Sequence, residues 1–180
     1  PQTYIDENGD EQPVANDNGD PLVLNPNIEK LSNPDGGWYD GVVNIKYEIQ
    51  EGGLDNMNND LVVFRLADVM FMKAESMMRK NGNAANAQAV KLVNDVRARS
   101  FTSNDASGKY TPSTLTMNEL LDERAREFAY EMTRREDLIR FGKFNDVWWA
   151  KPVTDKHYEL FPIPTNIRTA NPALTQNPGY

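Results

Sequence analysis

The sequence contains no cysteine and a single histidine, His157. The first absence removes disulfides, thiolate metal sites and cysteine nucleophiles. The second removes any multi-histidine metal centre. No apolar stretch approaches the roughly 20 residues that span a bilayer as a helix, because charges interrupt the longest candidates. The opening residues, Pro1 to Asp6, hold no basic cluster followed by an apolar run, so they do not read as a signal peptide. Acidic residues outnumber basic ones, twenty-seven to nineteen. A net charge of -8 argues against nucleic acid, whose phosphates demand a clustered cationic surface.

What is present is enough for one substantial core, or for a core plus a looser extension. The 180 residues are 39% hydrophobic and 26% charged, a balance typical of a globular chain rather than a disordered one. The charge is unevenly placed. Residues 1–60 carry thirteen Asp/Glu against two Lys/Arg, whereas 61–180 carry fourteen against seventeen. The character of the chain changes near residue 60, which predicts a turn-rich acidic segment with one strand over 1–60 and a helical domain over 61–180.

Residues 1–40 are dense in turn formers. Asn8-Gly9 and Asn18-Gly19 sit where a tight turn needs positive φ, and they predict surface hairpins. The Asp/Asn/Gly clusters resemble calcium loops in composition, but Gly9 comes too early after Asp6 for an EF-hand loop. Val43, Ile45, Tyr47 and Ile49 then alternate with polar residues, as a half-buried strand does, and Gly52-Gly53 ends the run.

Beyond Asn58-Asn59-Asp60 the period becomes helical. Val63, Leu66, Ala67, Met70, Ala74 and Met77 predict a helix over 61–80 with a broad apolar stripe. Asn81-Gly82-Asn83 separates it from a second helix over 85–99, with Ala89, Leu92, Val93 and Val96 inward, so the two form an αα-hairpin. Thr116 opens the best-defined helix. Thr116 and Glu119 make a capping box, and Leu115 can staple onto Leu120. Leu121, Ala125, Phe128 and Met132 mark its buried face. Thr133 and Glu136 repeat the capping-box pattern, and Gly142 ends the following helix. From Pro152 onward, Pro162, Pro164, Pro172 and Pro178 forbid long helices and central strands. Leu160, Phe161, Ile163 and Leu174 predict that this extended tail is pinned across the helices.

Several stretches resemble the SusD/RagB family when taken in order. They are Tyr39 to Tyr47; Arg65-Leu66-Ala67-Asp68-Val69 with Lys73-Ala74-Glu75; Asn94-Asp95-Val96-Arg97-Ala98-Arg99; Leu120 to Phe128 with Asp137-Leu138-Ile139-Arg140-Phe141-Gly142; Phe161-Pro162-Ile163-Pro164; and the ending Asn171 to Tyr180. The resemblance covers residues 39–180 and implies a mainly α fold. Tetratricopeptide-like αα-hairpins would follow a turn-rich, partly β N-terminal segment and precede an extended Pro-rich tail. It implies non-catalytic glycan capture at the surface of the cell outer membrane, with oligosaccharides delivered to a SusC-like TonB-dependent transporter. The family's lipid anchor would lie in an N-terminal region outside this chain, and no cofactor, metal or catalytic residue is implied. The family has Glu-Gly where this chain has Glu131-Met132, so the break between those helices would rely on the Thr133 cap.

Two other readings compete. A glycoside hydrolase needs two carboxyl groups across the sugar, one with a raised pKa, and Asp122, Glu123, Glu127 and Glu131 supply candidates. Arginines interleave at helical contact spacing, however: Asp122 with Arg126, Glu131 with Arg135, Glu136 with Arg140. A neighbouring cation favours the ionised carboxylate, the wrong direction for a general acid. The second competitor is a tetratricopeptide-like protein-interaction scaffold, which would bind peptide instead of sugar. Sugars stack on aromatic faces flanked by hydrogen-bonding groups. Trp38 and Tyr39, in the turn-rich segment Gly36-Gly37-Trp38-Tyr39, are the candidate carbohydrate-binding residues, with core packing an equal alternative for Trp38. Trp148-Trp149 is the other aromatic pair, and the flanking Phe144 and Val147 favour a buried cluster there.

Overall fold

A computed structural model of the chain describes residues 2–16, 18–31, 37, 40–47, 59–101 and 108–180. They fall in two units, Pro1–Asn59 and Asp60–Tyr180.

The first unit begins with an antiparallel hairpin, β1 (Thr3–Ile5) and β2 (Glu11–Pro13), in which Tyr4 faces Gln12. Its turn is made by the predicted chemistry. Gly9 sits at φ 85°, and one Asp6 carboxylate oxygen accepts the Asn8 and Asp10 N–H groups, each at 2.9 Å. Asn16 repeats this arrangement toward Asn18 and Asp20, with Gly19 also at φ 85°. With its backbone donors and Gln12 in place, the Asp6 side chain serves as a turn brace. Leu22 is buried, and its backbone closes on Gln2 and Val14. The strand expected from Val43 onward does not form over its described part. Residues 42–45 pair with no neighbouring strand, and Val42, Val43 and Ile45 are exposed. Alternation specifies a buried face only where a partner edge exists to bury it. The last part of that stretch lies outside the described residues.

The second unit is mainly helical. Helix α1 runs Leu66–Lys80, beginning five residues later than the periodicity suggests, because Arg65 stays extended at φ -144° with its side chain drawn to acids downstream. It stops at Asn81-Gly82-Asn83, where the Asn83 N–H reaches back to the Met78 carbonyl at 2.8 Å and Gly82 takes φ 64°. Helix α2, Ala87–Arg97, is capped by Asn86, whose side chain accepts the Ala89 N–H at 2.9 Å. The two helices pack through Ala67, Phe71, Ala74 and Met78 against Ala89, Val90, Val93 and Val96. The stripe on α1 is rotated from the expected one. Phe71 and Met78 are fully buried, Met70 and Met77 only partly, and Val63 and Leu66 are exposed. Burying a side chain such as Phe71 contributes about 2–3 kcal/mol.

Helix α3, Met117–Glu127, starts at Thr116, which accepts the Glu119 N–H at 3.1 Å. The box closes on one side only, because the Glu119 carboxylate takes the Tyr110 hydroxyl at 3.0 Å instead. Leu115 and Leu120 join the α1–α2 core, as does Phe128, whose ring meets Phe71 edge-on at 5.6 Å. Helix α4, Arg134–Arg140, follows a break that Thr133 does not cap. Left-handed backbone at Tyr130 (φ 63°) and Met132 (φ 62°) makes the bend instead. Its most buried side chain is Asp137 rather than an apolar one. Gly142 at φ 68° closes α4, with Lys143 N–H on the Leu138 carbonyl at 2.7 Å and Gly142 N–H on that of Ile139.

The tail differs from expectation. Leu160, Phe161 and Leu174 stay exposed, and the segment folds on itself around a short α5, Thr165–Ala170. Gln176 brackets Ile163 by accepting its N–H at 2.8 Å and donating to its carbonyl at 3.0 Å. Arg135 of α4 ties the tail down, stacking between Phe144 and Phe161 and donating to the Tyr158 carbonyl at 2.8 Å. Polar closure of this kind needs no apolar seam. Among the described residues no helix is long and apolar enough to cross a membrane.

Candidate functional site

The acids and arginines of the second unit assemble into a lattice that ties α1, α3 and α4 together. At its centre is Arg124, 4% exposed in its side chain. It donates from Nη1 to Asp68 of α1 at 2.9 Å and from Nε to Asp137 of α4 at 2.8 Å, and it lies over the Phe128 ring. Arg140 continues the chain, donating to the other Asp137 oxygen at 2.6 Å and pairing with Glu75, which also accepts from Arg79 at 2.7 Å. Arg65 grips Glu131 with two bonds, Nε to Oε2 at 2.9 Å and Nη2 to Oε1 at 2.8 Å, and also meets Glu127. Glu123 is held by Arg97 and by Arg126 at 2.7 Å, and Glu127 takes Arg99 as well.

The proton affinities follow from this wiring. The Glu131 hydrogen bonds hold the Arg65 guanidinium above the usual arginine range. Burial pulls Arg140 down, but the bonds to Glu75 and Asp137 outweigh it and the net direction is up. Burial, reinforced by the Glu123 charge, pushes the Tyr110 phenol up to about 12. Arg65 and Arg140 therefore hold their charge more firmly than a free arginine does.

This arrangement has consequences for chemistry. Asp122, Glu123, Glu127 and Glu131 each have an arginine within 4.0 Å; Asp122 meets Arg134 at 3.8 Å. The local pairings inferred from helical spacing give way to others, some three residues apart and some far apart in the chain. Arg126 turns to Glu123, Arg140 to Glu75 and Asp137, and Glu131 to Arg65, sixty-six residues away. Among the described residues no group of three or more His, Asp or Glu side chains is placed to hold a metal ion.

The aromatic candidates fare differently. Trp38 and Tyr39 lie outside the described residues. Trp148 and Trp149 are in full view, and the buried cluster expected for them is not there. Trp148 is 41% exposed, Trp149 56%, and Val147 is exposed beside them. The reason is a tight turn after α4. Trp148 and Lys151 exchange backbone hydrogen bonds at 3.1 and 3.0 Å, with Ala150 at φ 60°, and this turn leaves both tryptophans exposed. Lys151 then places its ammonium 4.1 Å from the centre of the Trp148 ring. Sequence reasoning missed Lys151, although a lysine three residues beyond a tryptophan across a turn is within reach of its ring.

A packed helical hairpin, a third and fourth helix locked to it by buried arginines, and exposed tryptophans on the turn beyond define a helical scaffold whose buried acids are tied to arginines. The profile of the SusD family matches residues 4–180, and the chain belongs to that family. It is 33% identical over 132 residues to the starch-binding protein SusD of Bacteroides thetaiotaomicron, covering 68% of this chain and 22% of that one. It is 35% identical over 138 residues to a SusD-like protein of Formosa agariphila, covering 69% and 26%. Among solved structures it resembles surface glycan-binding protein A of Bacteroides thetaiotaomicron in complex with laminarihexaose. There the TM-score is 0.55 and the identity 29%, over 68% of this chain and 26% of that one. The chain thus spans about a quarter of the length of these relatives.

Proposed function

We propose that the chain is part of a non-catalytic, outer-membrane glycan-capture protein that passes oligosaccharides to a SusC-like TonB-dependent transporter. The observation that carries this reading is the pairing of the candidate acids, Asp122, Glu123, Glu127 and Glu131, with arginines, within a family whose relatives include a starch-binding and a glycan-binding protein. A lattice of this kind fixes helices in place, which supports a structural role for these carboxylates rather than that of a general acid. Attachment to the membrane would come through a lipid anchor outside these residues, and the helical face would meet the transporter. Trp38 and Tyr39 are assigned to sugar contact because two adjacent aromatics following Gly36-Gly37 in the sequence supply stacking faces.

Calorimetry against a panel of neutral polysaccharides, with product analysis by chromatography, tests the reading. The expected result is binding without release of shorter sugars, weakened by Trp38→Ala with no change in thermal midpoint. Product release abolished by Glu127→Gln would overturn the non-catalytic assignment. Binding of peptides with no response to any glycan would favour the protein-interaction scaffold.

A further inference from the structure

The turn that exposes the tryptophans also borders a depression at the exposed edge of the arginine lattice, where Asp122 meets Arg134. It has a volume of about 260 Å³, and Trp148 forms one wall. Around it stand Asn118 at the start of α3, Asp122 one turn further on, Arg134 of α4, and Lys143 and Asp146 of the following loop. The geometry points to a subsite for one ring of a neutral oligosaccharide, stacked on Trp148 and hydrogen-bonded to Asn118 and Asp122. This assignment rests on the glycan-capture reading and supplies it with a location.

Three features argue for that ligand. The first is the platform. An indole left 41% exposed while a lysine ammonium sits over its ring offers apolar surface to the C–H groups of a sugar. Lys151 is itself anchored, donating to the Asp146 carbonyl at 2.9 Å and the Pro152 carbonyl at 3.1 Å. The ring is therefore held before ligand arrives, and little side-chain freedom remains to be lost on binding.

The second is the rim. Asp122 and Asp146 are more than half exposed, so their oxygens remain open to donors, even though Asp122 lies 3.8 Å from Arg134 and Asp146 lies 3.3 Å from Lys143. Asn118 is exposed and its carboxamide supplies a donor and an acceptor together. Two acids face two bases around the depression, so its charge is balanced. That balance suits a neutral ligand carrying many hydroxyls, which both donate and accept. An anionic or cationic ligand would meet a repelling group of its own sign. The third feature is size. Sites for drug-sized ligands run from about 300 Å³ upward, so a smaller depression suits one sugar ring with the rest of the chain in solvent.

Isothermal titration of the 180-residue chain with laminarihexaose and with starch- and xylan-derived oligosaccharides tests the assignment. Trp148→Ala is expected to weaken the tightest of these interactions about tenfold, and Trp148→Phe, which keeps a platform, to recover most of it. Asn118→Ala removes hydrogen bonds without touching the indole and is expected to cost about fivefold. Thermal midpoints should match wild type, since both side chains are exposed. Unchanged affinity in both Trp148→Ala and Asn118→Ala, while wild type binds, would overturn the subsite and leave glycan capture standing. Binding of no oligosaccharide by the wild-type chain would overturn both. Loss of affinity on Trp148→Ala confined to a peptide ligand would assign the depression to protein contact and remove the sugar.

Discussion

Arg124 and Asp137 meet through a 2.8 Å hydrogen bond between side chains that are 4% and 3% exposed. Asp137 retains Arg140 if Arg124 is removed, but Asp68 then loses its guanidinium. Breaking a buried pair by deleting one partner costs about 3–5 kcal/mol, because the remaining charge stays desolvated. Arg124→Met is therefore expected to lower unfolding free energy in urea by about that amount. Adding Asp68→Leu should recover part of the loss, since it removes the stranded carboxylate. A single-variant loss below about 1 kcal/mol would mean that solvent already reaches this pair.

Tyr110 offers a test at high pH. Its phenol is raised to about 12, first by burial and then by Glu123, against about 10 for an unfolded tyrosine. Between these values the folded state holds a proton that the unfolded state has released. Stability from this group is thus complete below about pH 10 and is lost as pH rises toward 12. Tyr110→Phe should flatten the decline in unfolding free energy between pH 10 and pH 12, by no more than about 1 kcal/mol because the hydroxyl is partly screened by solvent. An identical pH slope in wild type and Tyr110→Phe would show that other groups govern alkaline unfolding.

The features legible in the sequence were those encoded over a few residues. Thr116, Gly82 and Gly142 mark helix ends because capping is local chemistry, and Asn8-Gly9 marks its turn for the same reason. The packed faces of α1 and α2 follow from spacing, though the α1 stripe is offset by one residue, with Phe71 and Met78 buried and Met70 and Met77 only partly so. The arginine lattice was legible in kind but not in wiring. A rule based on neighbours one turn apart can suggest that Glu131 has a cation, but not that it is Arg65. Thr133 carries a capping pattern yet adopts helical angles, so its hydroxyl is not placed to cap. The tryptophans were misplaced because Phe144 and Val147 say nothing of the Trp148–Lys151 turn, which leaves both tryptophans exposed.

Met132 holds a left-handed conformation, φ 62°, with its side chain 79% exposed. Side chains with a Cβ pay for that backbone region while glycine does not. Little packing is at stake here, so Met132→Gly removes strain and loses almost no buried surface. The greater freedom of glycine in the unfolded chain offsets part of the gain. The expected net effect is a stabilisation of about 0.5 kcal/mol, read as a higher urea midpoint with unchanged slope. A destabilised variant would mean that Met132 makes a contact in solution worth more than the strain.

Gly179 is the most constrained position of the tail. It takes φ 94°, and a Cβ placed on it would lie 2.6 Å from both Cβ and Cγ of His157. His157 cannot readily yield, because Asp155 holds its Nδ1 at 2.6 Å and Tyr180 packs edge-on against its ring. Gly179→Ala therefore combines an unfavourable backbone region with a clash against a fixed ring. The expected result is release of the last residues. The Tyr180 hydroxyl would leave the Leu160 carbonyl, and Gln176 would loosen its grip on Ile163. Amide exchange at Ile163 should quicken by about tenfold or more, since local opening sets its protection. The thermal midpoint should move little, because Leu160, Phe161 and Leu174 contribute almost nothing to the core. Unchanged exchange at Ile163 would show that the Gln176 bracket holds the tail without Gly179, and a large drop in midpoint would show that the tail supports the helices.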